Sequence, residues 1–487
     1  MKIKELFKNL EVEFVNESDI EIQNITSNSK KVAPGDLFIA KSGGKYKGSD
    51  FIKEVIERGA VAILTSEESL EVSMPQIICK NPAKIEALLA DRFYKSPSKK
   101  LKMIGITGTN GKTTTSFLIK QLLGDYQCGL IGTIEYDLGN EKIDASLTTP
   151  DVVTNHQMLA QMVKNNLSFA VMEATSIALT QNRLDEIDFD LALFTNFTQD
   201  HLDYHGDMTA YLNAKSLLFQ KLGKDKKAII NIDDKVSPKL VKNSKALVKT
   251  YGTSKKAGYR AVNIELDSAK SSFILQFNDE NYPVEVPLTG MYNIYNTLLA
   301  ISCVIELGLE IPLVLERVKK LKAPKGRLEP IENTLGAEIF VDFAHTQDAL
   351  ENVLTSLNKV KRARLITLFG CGGDRDPHKR PLMGKTVSSL SDITIITSDN
   401  PRSEEPQQIC KEIYAGCDPL KEIYIESDRK KAIALAIQFL QEGDILLIAG
   451  RGHEKYQMTS KGSIPFEDSI VTKNILENRS IMHPVSL

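Results

Sequence analysis

The chain has 487 residues, with 61 basic and 63 acidic side chains and a formal net charge of -2. This length is too great for one hydrophobic core and predicts about three domains. The balanced charge argues against a nucleic-acid-binding surface, and no apolar run reaches the roughly 18 residues of a membrane span. Residues 1–14 lack the apolar centre of a signal peptide. We therefore expect a cytoplasmic protein that binds neither nucleic acid nor membrane.

Residues 1–97 predict a small α/β domain. Strand-like runs alternate with helical patterns, at 36–40, 51–58, 60–65, 76–79 and 82–94. Segment 26–38 combines hydroxyl and amide side chains with a Pro-Gly turn; it could bind a polar ligand, but we interpret it as a turn. Residues 96–100 have the composition of a linker.

Residues 98–325 predict a central domain with a mostly parallel sheet and helices on both faces. The apolar strand candidates are 101–106, 169–172, 191–195 and 228–232. Segment 261–288 differs, because its short alternating runs predict an antiparallel meander. Two helices, 293–307 and 312–321, follow it.

The stretch at residues 103–115 predicts a phosphate-binding loop between a strand and a helix. Backbone N–H groups of such a loop converge on anionic oxygens, Lys112 adds a positive charge, and the Thr113 hydroxyl is suited to magnesium. A strict P-loop has glycine where this chain has Ile106, so the loop is a variant. An ordinary turn is the alternative, but Lys112 followed by three threonines has no packing rationale.

Polar residues follow two other strands of the central domain. Glu173 ends one apolar strand, where a carboxylate can hold magnesium. Asp200, His201, Asp203 and His205 follow another, and this density of metal-ligand types favours a functional loop.

Several further residues allow two interpretations from sequence alone. Lys215 lies on an apolar helix, and from the sequence alone we interpret it as a lysine whose aliphatic stem is buried while its ammonium group reaches solvent. Asn293 and Asn296 share a helix face and could cap the helix or bind a base or phosphate. Arg327, in a Gly-Arg-Leu-Glu segment, could lie in solvent or reach a transferring phosphoryl group.

Residues 326–487 predict a second doubly wound, Rossmann-like domain. Its strand and helix candidates are 338–343, 348–357, 365–369, 393–397, 406–414, 430–440 and 445–449. Polar segments follow four of these strands, at 342–345, 370–376, 398–406 and 450–454. Strand carboxyl ends line the ligand crevice of open α/β sheets, and arginines with a glutamate suit an amino acid charged at both ends.

Together these motifs closely resemble those of the Mur ligases, the ATP-dependent amino acid ligases of peptidoglycan precursor assembly. The resemblance spans nearly the whole chain and rests on segments 107–114, 148–151, 200–206, 293–296, 326–329, 372–376 and 450–454. It implies three domains: 1–97 for a UDP-sugar substrate, 98–325 for ATP, and 326–487 for an amino acid. It also implies Mg²⁺ and a monomer.

The resemblance assigns residues to ATP, to the metal and to catalysis. The implied ATP contacts are Gly108, Thr109, Asn110, Gly111, Lys112, Thr113, Thr114, Asn293, Asn296, Arg327 and Asp342. The implied magnesium ligands are Thr113, Glu173, His201 and a carbamylated Lys215. Lys112, Glu173, His201 and Lys215 are the expected catalytic residues, and carbamylation gives Lys215 a role that packing alone does not.

Substrate contacts are implied in the same way. The amino acid contacts are Arg375, Asp399, Asn400, Pro401, Arg402, Gly450 and Glu454, and Asp-Asn-Pro-Arg at 399–402 resembles the signature of ligases that take meso-diaminopimelate. The UDP-sugar contacts are Ser29, Thr148, Thr149, Thr175, Gln181 and Arg183. The chain departs from the family pattern here, with Ile177 in place of a histidine, Thr175 in place of a serine, and Asn-Ser-Lys at 28–30 in place of Asp-Ser-Arg.

The implied activity is ATP-dependent addition of meso-diaminopimelate to UDP-N-acetylmuramoyl-L-alanyl-D-glutamate through an acyl phosphate. A related ligase that adds another amino acid or extends folate with glutamate is the nearest alternative. A nucleotide-dependent switch that ligates nothing is a further alternative, but it leaves the polar segments after residue 369 unexplained.

Overall fold

A computed structural model describes residues 1–16, 18–41, 47–68, 72–124 and 127–482. Within this part of the chain the strands form three large α/β sheets and one hairpin. No helix in the described ranges is both long and apolar enough to cross a bilayer. Three sheets, each flanked by helices, match the predicted α/β class.

The first sheet has the strand order β1-β5-β4-β3-β2, parallel except for β1. Its strands are β1 (Glu13–Val15), β2 (Asn24–Thr26), β3 (Asp36–Ile39), β4 (Ala62–Thr65) and β5 (Gln76–Ile78), and its helices are α1 (Ile3–Leu6), α2 (Ile52–Glu57) and α3 (Pro82–Phe93). Segment 26–38 holds a 3-10 helix, Ser29–Lys31, and a left-handed Gly35, which fits the predicted turn. Residues 96–100 are not an open linker, because Pro97 and Ser98 are buried in a 3-10 helix.

The second sheet is centred on β6, which lies between β10 and β11. Its strands are β6 (Lys102–Thr107), β7 (Cys128–Ile131), β8 (Glu135–Asp137), β9 (Lys142–Asp144), β10 (Phe169–Glu173), β11 (Leu191–Phe194), β12 (Lys227–Asn231), β13 (Leu247–Gly252), β14 (Tyr259–Leu266), β15 (Ser271–Phe277) and β16 (Glu280–Val286). The last three are antiparallel, as predicted.

Helices cover both faces of this sheet and enclose two apolar cores. They are α4 (Lys112–Leu123), α5 (Val152–Lys164), α6 (Ser176–Thr180), α7 (Leu202–His205), α8 (Met208–Gln220), α9 (Ser237–Leu240), α10 (Met291–Glu306) and α11 (Ile311–Val318). Strands β6, β10 and β11 run parallel and are almost wholly buried, which explains their continuous apolar sequences. Their carboxyl ends therefore meet at one sheet edge.

The third sheet has the order β17-β18-β22-β19-β20-β21. Its strands are β17 (Glu329–Ile331), β18 (Glu338–Asp342), β19 (Leu365–Phe369), β20 (Ile393–Ile396), β21 (Glu422–Ile425) and β22 (Ile445–Ala449), and a hairpin of β23 (Tyr456–Thr459) and β24 (Gly462–Pro465) follows. The helices are α12 (Gln347–Val360), α13 (Lys379–Leu390), α14 (Pro406–Tyr414), α15 (Arg429–Phe439) and α16 (Asp468–Met482). Strands β18, β22, β19 and β20 are parallel, so the four predicted polar segments do share one edge.

Candidate active site

The predicted phosphate-binding loop, residues 107–114, is held in shape by two glycines; we call it the phosphate cradle. Gly108 has φ +148°, and a Cβ there would lie 1.9 Å from Oγ1 of Thr195. Gly111 has φ +84° and directly precedes α4, whose first turn carries Thr113 and Thr114. Side chains are therefore excluded where the backbone has to approach a ligand closely.

Lys112 lies across the mouth of the phosphate cradle. Its Nζ donates hydrogen bonds to the carbonyl oxygens of Gly108 at 2.9 Å and of Thr109 at 2.8 Å. Burial lowers the pKa of Lys112, and the neighbouring Glu173 opposes this shift. The ammonium is thus positioned by the loop itself, where a phosphate oxygen would meet it.

Glu173, the last residue of β10, connects Thr113 of the cradle to Thr133. Its Oε2 accepts hydrogen bonds from Oγ1 of Thr113 at 2.9 Å and from Oγ1 of Thr133 at 3.0 Å, and its Oε1 accepts one from the N–H of Thr133 at 2.9 Å. The carboxylate is wholly buried. A hydroxyl and a carboxylate in contact beside a phosphate cradle are oxygen donors of the type that Mg²⁺ takes.

Lys215 does not reach solvent, so the interpretation of a solvent-reaching lysine is wrong. Its side chain is 1% exposed, its Nζ donates to the carbonyl of Gly108 at 2.8 Å, and the same Nζ lies 4.3 Å from the ring centre of Tyr211. Burial, and then the charge of Lys112, lower the pKa of Lys215 well below its ordinary value. The uncharged amine form is therefore more favoured for Lys215 than for a lysine in water.

The two histidines of segment 200–206 both lie near the ring of Tyr211 but have different polar contacts. His201 is half exposed, with Nε2 3.5 Å from Oδ2 of Asp200, and its ring lies near Tyr211. His205 instead contacts Oγ of Ser176 through Nε2 at 2.9 Å. Among the described residues, no three His, Cys, Asp or Glu side chains form a metal-binding group. His201, His205 and Lys215 thus lie around one ring, that of Tyr211.

Asn293 and Asn296 are buried against the cradle from α10. Oδ1 of Asn296 accepts a hydrogen bond from Oγ1 of Thr115 at 3.3 Å and would lie 2.5 Å from a Cβ on Gly111. Its Nδ2 donates to Oδ1 of Asn293 at 3.2 Å. The two asparagines therefore support the cradle, and neither is a cap, because both lie inside the helix.

Arg327 reaches from the third domain toward the cradle. Its Nη2 is 3.5 Å from Oγ1 of Thr113, and its guanidinium lies 4.5 Å from the ring centre of Phe343. Asp342 holds this segment through hydrogen bonds from the N–H groups of Leu328 at 2.6 Å and Ala344 at 2.7 Å. Burial raises the pKa of Asp342, while Arg327 opposes the rise. Arg327 is therefore not a solvated surface arginine.

A second contact between these domains was missed by the sequence analysis. Oδ2 of Asp348, in the first turn of α12, accepts hydrogen bonds from Nδ2 of Asn110 at 3.0 Å and from Oγ1 of Thr198 at 2.9 Å. Asn110 is a cradle residue. Asp348 lies on a helix of the third domain, far in sequence from Asn110 and Thr198. No motif around Asp348 predicts that it contacts them.

Five of the six predicted UDP-sugar contacts form one hydrogen-bonded group, the threonine network. Oγ1 of Thr149 donates to the carbonyl of Glu173 at 2.6 Å and lies 3.2 Å from Oγ1 of Thr175, while Nη1 of Arg183 donates to the carbonyl of Thr149 at 2.9 Å. Gln181 accepts from Arg183 at 2.6 Å. Thr148 lies 3.2 Å from Thr133, which also contacts Glu173. The sixth predicted contact, Ser29, is the first residue of the 3-10 helix Ser29–Lys31 in the N-terminal domain.

The four polar segments of the third domain form what we call the amino-acid crevice. Nδ2 of Asn400 donates to Oε2 of Glu454 at 2.7 Å, and Nη1 of Arg402 donates to the carbonyl of Gly373 at 2.7 Å. Burial raises the pKa of Glu454, and the hydrogen bond from Asn400 opposes this rise. The crevice therefore contains Arg402 and a glutamate, Glu454, that accepts a hydrogen bond from the Asn400 amide.

Other predicted crevice residues have backbone or surface positions. Oδ2 of Asp399 is buried without a hydrogen bond and would lie 2.6 Å from a Cβ on Gly450. The carbonyl oxygen of Pro401 would lie 1.9 Å from a Cβ on Gly373, so two loops touch through their backbones. Arg375 is exposed at the rim. The carboxyl groups of Asp399 and Glu454 thus lie inside the crevice, and Arg375 lies at its exposed side.

Buried charges under the crevice were also missed. Arg451 is 0% exposed and donates to Oδ1 of Asn400 at 2.9 Å. Arg429 forms two hydrogen bonds with Asp468, at 2.8 and 2.7 Å. Arg451 stands within the Gly-Arg-Gly-His-Glu motif, which was a usable signal; Arg429 and Asp468 lie on helices with ordinary surface-like sequences.

Family models match the chain in three consecutive segments. The Mur ligase family catalytic domain matches residues 21–105, the Mur ligase middle domain 106–304, and the Mur ligase glutamate ligase domain 326–452. Relatives named UDP-N-acetylmuramoyl-L-alanyl-D-glutamate--2,6-diaminopimelate ligase include one from Chlamydia trachomatis serovar D, 42% identical, covering 96% of this chain and 98% of its own. One from Listeria monocytogenes is 39% identical and covers 98% and 99%.

Solved structures agree with this match. A structure with the same enzyme name has a TM-score of 0.69 and 30% identity, covering 98% of this chain and 99% of its own. The MurF ligase from Thermotoga maritima, solved with ADP, has a TM-score of 0.66 at 17% identity, covering 96% and 100%. The predicted family, fold class and ligase class are confirmed. Because full-length relatives near 40% identity share all three segments, the chain belongs to the Mur ligase family.

Proposed function

We propose that the chain adds meso-diaminopimelate to UDP-N-acetylmuramoyl-L-alanyl-D-glutamate at the expense of ATP, in the cytoplasm. The names of its full-length relatives support this reaction. The observation that carries it is the reach of Arg327 to Oγ1 of Thr113, because the same guanidinium lies on the ring of Phe343, in one of the crevice segments, and so links the third domain to the phosphate cradle.

In the first half-reaction, an oxygen of the D-glutamate γ-carboxylate attacks the γ-phosphorus of ATP, and ADP leaves. The cradle amides, Lys112 and Arg327 would stabilise the charge on the phosphoryl oxygens, which is the main requirement of phosphoryl transfer. Mg²⁺ would be held by Thr113 and Glu173, with His201 and a carbamylated Lys215 completing the set. When bound, Mg²⁺ would neutralise phosphate charge.

The state of Lys215 supports carbamylation. An uncharged Nζ can attack the carbon of CO₂ and lose a proton, which turns a cation into an anionic oxygen ligand. The lowered pKa supplies the uncharged amine, and Lys112 is close enough to shift that pKa by its charge. A carbamate would be attracted by Lys112, whereas an ammonium is repelled by it.

In the second half-reaction, the amine of the diamino acid attacks the acyl carbon, phosphate leaves, and the nitrogen loses a proton. Glu454 would pair with an ammonium group, and Arg402 with the distal carboxylate that lysine lacks. Asn400 would donate a hydrogen bond to a carboxylate of the diamino acid, and Arg375 would lie at the entrance of the crevice. Asp399, Pro401 and Gly450 would shape the floor.

The UDP-sugar would lie along the threonine network and Ser29. The network touches the carbonyl of Glu173, so a substrate held there would present its terminal carboxylate beside the cradle. Ile177 offers no hydrogen bond where the family commonly has a histidine, so the hydroxyls of Thr149 and Thr175 would take more of the binding.

A panel of acceptors tests the proposal. ADP release and peptide product are measured with meso-diaminopimelate, L-lysine and D-alanyl-D-alanine, each with the UDP-muramoyl dipeptide, and with a folate plus glutamate. We expect turnover with meso-diaminopimelate and the dipeptide only. Efficient use of lysine would contradict the assignment of Arg402, and ATP hydrolysis unaffected by any amino acid would contradict a ligase.

A further inference from the structure

The side-chain amide of Asn400 has one permitted orientation. Its Oδ1 accepts hydrogen bonds from Nη1 of Arg451 at 2.9 Å and from the N–H of Met458 at 2.9 Å. Both partners can only donate, so the oxygen has to face them. Nδ2 therefore points to the crevice side, where it donates to Glu454. Asn400 can offer a ligand a donor but no acceptor.

Arg451 is the residue that fixes this orientation. It is fully buried, and its Nη2 donates to the carbonyls of Tyr456 at 3.0 Å and Phe466 at 2.9 Å. Its own carbonyl accepts the N–H of Glu454 at 3.0 Å. One side chain thus connects Asn400 to the hairpin, while its backbone holds the turn that carries Glu454.

Charge explains why an arginine is needed at this depth. Both carboxylate oxygens of Asp468 are already paired with Arg429, and Nε of Arg451 lies 3.9 Å from Asp468. Arg451 is also 3.7 Å from Glu454, and Asp399 is buried nearby. The Arg451 side chain thus lies between Asp468 and Glu454, and its removal would leave these carboxyl groups with one cationic neighbour fewer.

We propose that Arg451 is a positioning residue for ligation: its side chain holds Asn400 as a hydrogen-bond donor to the amino acid, and Asn400 in turn holds Glu454. This inference rests on the proposed function, because it assumes that the amino acid binds to these two residues. Arg451 itself lies beneath the crevice and acts through Asn400.

A double-mutant cycle tests this role. R451M, N400A and the double variant are compared in KM for whichever amino acid the wild-type enzyme uses best. R451M should raise this KM about tenfold, as expected for a lost hydrogen bond to a charged group. In the N400A background, the same substitution should raise it less than about twofold, because the amide that it orients is gone. The KM for ATP should stay within about twofold in all variants.

An equal rise in both backgrounds, or a parallel rise in the KM for ATP, would overturn the proposal. R364M is the control, because Arg364 forms two hydrogen bonds with Asp444 in the same domain, at the end of β19 that lies away from the crevice. It should lower Tm without changing the amino acid KM. If R451M does not fold, R451K replaces it, with about a threefold rise expected only when Asn400 is present. A wild-type enzyme that prefers lysine would contradict the proposed substrate and leave this cycle intact.

Discussion

The phosphate cradle and the amino-acid crevice are built in different ways. The cradle is made by backbone: Gly108 and Gly111 allow close approach, and Lys112 is held by carbonyls of its own loop. The crevice is made by side chains that depend on others beneath them, as Asn400 depends on Arg451. A backbone site is encoded locally, whereas a side-chain site needs residues from distant parts of the chain. The predictions below test this difference.

We expect the largest effect from G108A. The new Cβ would lie 1.9 Å from Oγ1 of Thr195, and φ is +148°, so the cradle cannot keep its shape. Losing aligned phosphate donors should lower the rate of ADP release at least about 100-fold. G308A is the control, because Gly308 has φ +99° with nothing within 4 Å of its Cβ. Near-normal turnover by G108A would show that the loop does not bind phosphate.

R402A should raise the KM for meso-diaminopimelate by about 10- to 100-fold, because it leaves a carboxylate without its charged partner. The KM for ATP should not change, since the cradle is independent of this side chain. R362A, at an exposed position of the same domain, is the control. An unchanged KM for the diamino acid would remove Arg402 from the site.

Lys215 provides a test with a spectroscopic readout as well as an activity readout. Its pKa is lowered by burial and by Lys112, which favours the uncharged amine that reacts with CO₂. Protein equilibrated with ¹³C-bicarbonate should give a carbamate carbon signal that is absent in K215M. Degassing should reduce activity several-fold, and bicarbonate should restore it. Full activity without CO₂, with no carbamate signal, would show that Lys215 acts as an amine.

Glu454 should make the KM for the diamino acid depend on pH. Its pKa is raised by burial, so the carboxyl becomes protonated at a higher pH than a free glutamate. The protonated form cannot pair with an ammonium, so the KM for the diamino acid should rise as the pH falls through this raised pKa. E454Q should have a high KM that no longer varies in that range. The same pH dependence in E454Q would assign it to another group.

The smallest effect should come from K455A. Lys455 forms an ion pair with Asp144 at 2.6 Å, linking the hairpin to the central sheet, but the two side chains are 49% and 72% exposed. Exposed pairs contribute about 0–1 kcal/mol, so Tm and both KM values should be close to wild type. A large change in the KM for the diamino acid would mean that this surface contact shapes the crevice.

The same difference, between local features and contacts with distant residues, decides how much of the structure could be predicted from the sequence. The cradle and the strands around it were predictable, because glycine spacing and continuous apolar runs are local signals. Lys215 was misread, since its apolar helix does not show that Nζ meets the carbonyl of Gly108. Asp348 and Asp468 could not be predicted, because their partners lie in other elements and nothing near them in sequence is unusual.

Gly326 has a consequence for how Arg327 and Glu454 are placed relative to each other. A Cβ there would lie 2.1 Å from the nitrogen of His453, so the two main chains touch with no side chain between them. Arg327 and Glu454 are neighbours of this contact and so belong to a single mechanical unit. If Arg327 binds the phosphoryl group and Glu454 the amino acid, as proposed, the distance between the two side chains is set by this main-chain contact.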